Sequence, residues 1–250
     1  MKPYDSRMRL VGMLVARRRS RWGRLPAALA LILALSIAGT AKSQAASSAA
    51  ASTHVYLLRG VLNIFSLGLD DLAAKLQQQG FTVTVANYLS WSSLASEAAA
   101  EFRSGRTKTI VLVGHSSGAT ALPDMVARLD QLGTPVKLAI GLDSVFRTSL
   151  SGRVGRYINF YVANGNGEPV ARTSQLKGTL ENVDVGKIGM AHLTIDKSEV
   201  MHQKVIAAIN SVVSSGSKVA SEPKPQPEVN AAGQGNAAGQ GKTAAATSRN

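Results

Sequence analysis

Thr109-Ile110-Val111-Leu112-Val113-Gly114-His115-Ser116-Ser117-Gly118-Ala119-Thr120 joins an apolar, β-branched run to a serine flanked two residues away on each side by glycine. The bare pattern G-x-S-x-G recurs by chance, so its setting has to carry the meaning. Here the run from Thr109 to Val113 reads as a buried strand, and the residues from Ser117 to Leu132 read as a helix. Gly114 and Gly118 lack Cβ atoms, which permits a tight strand-to-helix turn and the close approach of neighbouring chain. Ser116 would then stand at the carboxyl end of a strand, with the amides and positive dipole end of a helix beside it. The plainer alternative makes Ser116 a helix cap and nothing more.

Outward from this turn, strand and helix signals alternate between residues 53 and 213. Val55 to Leu58 is a buried strand run, and Leu69, Leu72, Ala73 and Leu76 recur at helical spacing before Gly80 ends that helix. Phe81 to Ala86 is the next strand, and a helix bearing Leu94, Ala98 and Phe102 follows it. Beyond the serine turn come the apolar strands Val136 to Leu142 and Tyr157 to Val162, a strand-like stretch from Leu180 to Val185, and an amphipathic helix from Val200 to Val213. This order predicts a small α/β domain, 53–213, with a mainly parallel sheet flanked by helices on both faces.

The flanking segments differ in composition. The chain of 250 residues carries a formal charge of +13, and residues 1–46 hold nine Lys or Arg against Asp5, so the leader supplies +8 of it. A basic opening followed by the 17-residue apolar run Leu25 to Ala41 and small residues predicts a secretory signal over 1–45; an uncleaved N-terminal anchor is the alternative. Gly39-Thr40-Ala41 and Ser43-Gln44-Ala45 both offer cleavage sites. Arg18-Arg19 resembles part of a twin-arginine signal, although the residues after it depart from that pattern. Residues 46–52 read as a linker. From Ser214 to Asn250 the chain is rich in Ser, Lys and Pro and repeats Asn-Ala-Ala-Gly-Gln-Gly at 230–235 and 236–241, which predicts a disordered tail. With the charge concentrated in the leader and no basic-aromatic run in the body, nucleic acid is not an expected partner. The chain has no Cys, which excludes disulfides and thiolate chemistry. No clustered His and carboxylate spacing suggests a metal, and Gly165 to Val170 lacks the third glycine of a dinucleotide turn, so no cofactor is expected.

A serine nucleophile needs a base, and the chain has four His. His54 precedes the first strand, His115 lies inside the turn with its side chain expected to point away, and His202 belongs to the last helix. His192, in the loop Gly189 to Thr194, is the remaining candidate. Three carboxylates compete to orient it: Asp143 at the end of the strand 136–142, Glu168 after the strand 157–162, and Asp184 shortly before His192. Of these, Asp143 leaves a strand that ends on the same sheet edge as Ser116.

With these residues in place, the segment 53–213 resembles the α/β-hydrolase superfamily. GHSSG paired with an acid at the end of the next strand is similar to the superfamily's thioesterase-like branch. The resemblance implies Ser116 as nucleophile, Asp143 as acid and His192 as base. It also implies that Leu58-Arg59-Gly60-Val61 is the oxyanion loop, with the amides of Val61 and Ser117 as donors; the family often has His-Gly where this chain has Arg59-Gly60. The expected function is that of an exported, periplasmic or secreted serine hydrolase acting on a small-molecule or lipid acyl ester, or a thioester, and meeting a membrane only through its N-terminal segment if that is retained. The competing expectation is a noncatalytic binding module that keeps the turn without turnover.

Overall fold

The computed structural model describes residues 44, 47–61, 66–165 and 167–220. Nearly all of the expected signal segment and residues 221–250 of the expected tail lie outside the described residues. In chain order the elements are β1 (Thr53–Arg59), α1 (Gly68–Gln78), β2 (Thr82–Asn87), α2 (Trp91–Arg103), β3 (Thr109–His115), α3 (Ser117–Gln131) and β4 (Val136–Leu142). Then follow β5 (Ser149–Leu150), β6 (Arg153–Tyr161), β7 (Ala171–Arg172), β8 (Lys177–Asp184) and α4 (Glu199–Ala220).

Six strands form one parallel sheet in the order β2-β1-β3-β4-β6-β8, and β5 and β7 pair as a small separate ladder. Strands β1, β3 and β4 are buried along nearly their whole length, as parallel strands covered on both faces must be. Their side chains alternate between two cores with the period-two geometry of a strand. Val55, Leu57, Val111 and Val113 pack on one face with Leu69, Leu72 and Leu76 of α1 and Met201, Val205 and Ile209 of α4. Tyr56, Leu58, Ile110 and Leu112 pack on the other with Leu94 and Ala98 of α2 and Leu122, Met125 and Leu129 of α3. Each fully buried leucine or methionine of α3 contributes about 1.5–3 kcal/mol relative to an exposed position. At the far side of the sheet this second face is covered by Leu150, Val170 and Leu176, from the segments that join β4 to β6 and β6 to β8.

The chain runs from β1 outward to β2, then crosses back over β1 to β3 and continues the other way. Strand order therefore reverses between β1 and β3, and in open parallel sheets the crevice beyond such a reversal is where ligands bind. Leu58 pairs with Gly114 and His115 with Leu142, so the chain beyond Arg59, His115 and Leu142 emerges side by side on that edge.

Helix is also present on either side of the segment 53–213. Residues 47–51, inside the expected linker 46–52, are helical; Ala50 is buried in the core and Thr53 Oγ1 donates to the Ala49 carbonyl. Alanine is the strongest helix former, and Ala50 shares the core cluster that holds Phe81. The closing helix also passes Val213, where the tail was expected to begin at Ser214, and runs to Ala220. Within it, Ser211 and Ser215 donate their hydroxyls to the helix carbonyls of Ala208 and Ser211.

Candidate active site

Ser116 stands between β3 and α3 with φ 60° and ψ −123°. The other non-glycine residue with positive φ among the described residues is Asp143, φ 54°, at the end of the neighbouring β4. Such conformations cost of the order of 1–3 kcal/mol each and persist where surrounding structure enforces them. Enforcement is visible in the packing. A Cβ on Gly114 would lie 2.5 Å from the Gly118 carbonyl, and one on Gly118 would lie 2.0 Å from the Leu58 carbonyl oxygen, so α3 can sit directly on β1 and β3 only with glycine at both positions. The Ser116 amide is anchored to the Leu142 carbonyl at 3.0 Å and the Asp143 amide to the Phe160 carbonyl at 2.7 Å.

Ser116, His192 and Asp143 form one hydrogen-bonded line. His192 Nδ1 lies 2.7 Å from Asp143 Oδ2, and His192 Nε2 lies 3.1 Å from Ser116 Oγ. Asp143 is fully buried, and its second oxygen, Oδ1, accepts the Val162 amide at 2.7 Å. With the carboxylate accepting from Nδ1–H, the Nε2 lone pair is left to take the serine proton. Gly167 closes over the same carboxylate, since a Cβ there would fall 1.8 Å from Asp143 Oδ1. Gly167 thus helps to shut the buried acid off from water.

The competing acids are engaged elsewhere. Glu168 meets Arg147 on the surface at 3.3 Å, and Asp184 caps the turn after β8 by accepting the amides of Ala163 and Gly186. Two of the other histidines are likewise occupied. His54 sits between Glu101 and Thr84 and stacks on Tyr56, while His202 Nε2 faces the Asp196 carbonyl at 2.6 Å.

The loop after β1 closes on the serine. A Cβ at Gly60 would be 2.9 Å from Ser116 Cβ and 3.2 Å from its Oγ, so glycine is what allows that approach. Arg59 turns its guanidinium to Asp70 on α1. Val61 is half exposed at the turn beyond Gly60, and Ser117 opens α3 where amides have no partner within the helix.

A second layer was not apparent from the sequence. His115 is fully buried and does point away from Ser116, but it meets Ser66 Oγ through Nδ1 at 2.8 Å and the His192 carbonyl through Nε2 at 3.0 Å. Ser66 belongs to no motif, and only the three-dimensional pairing identifies it. Among the described residues no group of three or more His, Cys, Asp or Glu could hold a metal ion, and no helix is long and apolar enough to cross a membrane. The chain matches no protein-family model and no curated protein sequence.

Proposed function

We propose that the protein is a serine hydrolase of the α/β-hydrolase superfamily that cleaves an acyl ester or thioester. The observation that carries this reading is the unbroken line from Asp143 Oδ2 through both nitrogens of His192 to Ser116 Oγ, at 2.7 and 3.1 Å. Three further features support it. The serine follows the strand beside the strand-order reversal, the two non-glycine residues with positive φ among the described residues are Ser116 and Asp143, and the glycines of the serine turn cannot be replaced without a backbone clash.

In the reaction, His192 Nε2 takes the Ser116 proton as Oγ bonds to the acyl carbon, and the carbonyl electron pair moves onto oxygen. The amides of Val61 and Ser117, with the amino end of α3, stabilise that oxyanion. The Asp143 carboxylate stabilises the imidazolium, which then returns its proton to the departing alkoxide or thiolate. Water repeats the sequence on the acyl-enzyme and restores Ser116. Val61, Leu67, Leu89, Phe146 and Leu193 are exposed apolar side chains on segments that follow β1, β2 and β4 or adjoin His192, which favours an apolar acyl group over a charged one. The Arg-rich opening and apolar run of residues 1–45 favour export. A panel of p-nitrophenyl esters and acyl thioesters of graded chain length tests the reading. Turnover should be found with at least one chain length and should fall about 10⁴-fold or more in Ser116→Ala. A folded Ser116→Ala protein retaining activity within about tenfold of wild type would reject it.

A further inference from the structure

Behind the serine turn, a run of hydrogen bonds has a single consistent direction. His115 Nε2 faces a backbone carbonyl, that of His192, so this nitrogen carries the proton. Burial holds the ring below its ordinary pKa, with Asp196 and the His192 carbonyl opposing, which leaves Nδ1 unprotonated as an acceptor. Nδ1 accepts a hydrogen bond from the Ser66 hydroxyl at 2.8 Å, and Ser66 Oγ accepts the Gly60 amide at 3.0 Å. The path therefore reads Gly60 N–H to Ser66, Ser66 O–H to His115, and His115 N–H to the His192 carbonyl. At one end is the turn in which Gly60 approaches Ser116, and at the other is the backbone of the base.

We propose that His115 is a positioning residue that holds the Gly60–Val61 turn and the His192 loop in a fixed relation to Ser116. The proposal rests on the hydrolase reading above. Its logic is geometric: the two loops come from distant parts of the chain, Ser66 and His192 have no direct bond, and His115 spans them from the central strand that also carries the nucleophile. The His115 and His192 rings lie 5.1 Å apart, so displacement of one is felt by the other. A separate tie, from the Gly68 amide to Asp196 Oδ2 at 3.0 Å, joins the same two regions without passing through His115. Loss of the His115 bonds therefore leaves the loops docked but free to shift by fractions of an ångström, and displacement on that scale lowers turnover more than binding.

The test uses the full chain and its best ester from the panel. His115→Leu removes both bonds and should lower kcat by about 10- to 100-fold with KM changed by less than about threefold. Ser66→Ala should give a smaller loss of kcat of the same kind. Because the two residues act in series, Ser66→Ala combined with His115→Leu should be no slower than His115→Leu alone. His115→Gln, whose amide nitrogen can still donate to the His192 carbonyl, should recover part of the rate, which a loss of packing alone would not permit. Melting curves establish that each variant is folded, and Ser66→Ala, the smaller change, carries the test if His115→Leu does not fold. Folded variants with kcat within about threefold of an active wild type, or losses that multiply in the double variant, overturn the positioning role alone. A folded wild type that neither hydrolyses any ester nor reacts with a fluorophosphonate overturns the hydrolase reading and the positioning role with it.

Discussion

Asp143→Asn separates the orienting carboxylate from its shape. In the native site Oδ1 of the fully buried Asp143 accepts the Val162 amide and Oδ2 accepts His192 Nδ1–H, both at 2.7 Å. A carboxamide can accept on one side only. If its oxygen stays on Val162, its NH₂ faces Nδ1, which must then accept, and the proton moves to Nε2, where it blocks transfer from Ser116. If its oxygen turns to His192, two N–H groups face each other at Val162, a buried mismatch of about 1–3 kcal/mol. At about 2 kcal/mol the productive orientation is populated roughly one part in 30. Even that fraction lacks the negative charge beside the imidazolium, which at about 4 Å and an effective dielectric of 20 supplies up to about 4 kcal/mol. The two effects overlap, and together they give a fall in kcat of roughly 10² to 10⁴ with KM little changed. Ester hydrolysis under saturating substrate, with circular dichroism as the folding control, measures it. Glu168→Gln and Asp184→Asn, which touch surface or turn partners, should each lose less than about tenfold. Mild loss in Asp143→Asn with severe loss in either of the others would refute the assignment of the acid.

Gly118→Ala should destabilise the fold by about 3 kcal/mol or more, the upper end of overpacking, because its Cβ would meet a buried backbone oxygen that cannot rotate away; a urea midpoint corresponding to less than about 1 kcal/mol would contradict the packing described. Acidification should weaken the fold through His115. Burial holds its pKa below 6.5, so the unfolded chain binds more protons than the folded one as pH drops past that value, and this contribution, intact above pH 6.5, is lost as pH falls through the folded value. Urea unfolding between pH 7.5 and 5 should therefore show a shallower decline in His115→Gln than in wild type, and parallel slopes would count against it.

The serine turn was legible because its requirements are local: two glycines set where backbone meets backbone, after an apolar strand and before a helix. Asp143 was legible as a strand end, and His192 because the other three histidines fall on elements that occupy them. The strands β5 and β7, two residues each, are too short to show any periodicity. The start of β6 is hidden because exposed Arg153 and Gly155 and partly exposed Arg156 surround the single buried residue Val154, and the continuous buried run begins only at Tyr157. His115 and Ser66 were beyond reach for another reason. Their partnership spans 49 residues of sequence and depends on which way a buried ring turns, which no spacing rule encodes. Helix at 47–51 and 214–220 was missed because Ala and Ser composition resembles linker; at 47–51 the burial of Ala50 in the core is a tertiary feature that composition does not show.

The central claim is that Ser116 is a nucleophile activated by His192 and Asp143. Incubation of the folded protein with a fluorophosphonate, followed by peptide mapping, tests it without any assumption about substrate. The account expects one phosphonyl adduct, on the peptide that carries Gly114 to Gly118, absent from Ser116→Ala and strongly slowed in Asp143→Asn. A folded protein that takes no adduct, or takes it on another serine, would contradict it.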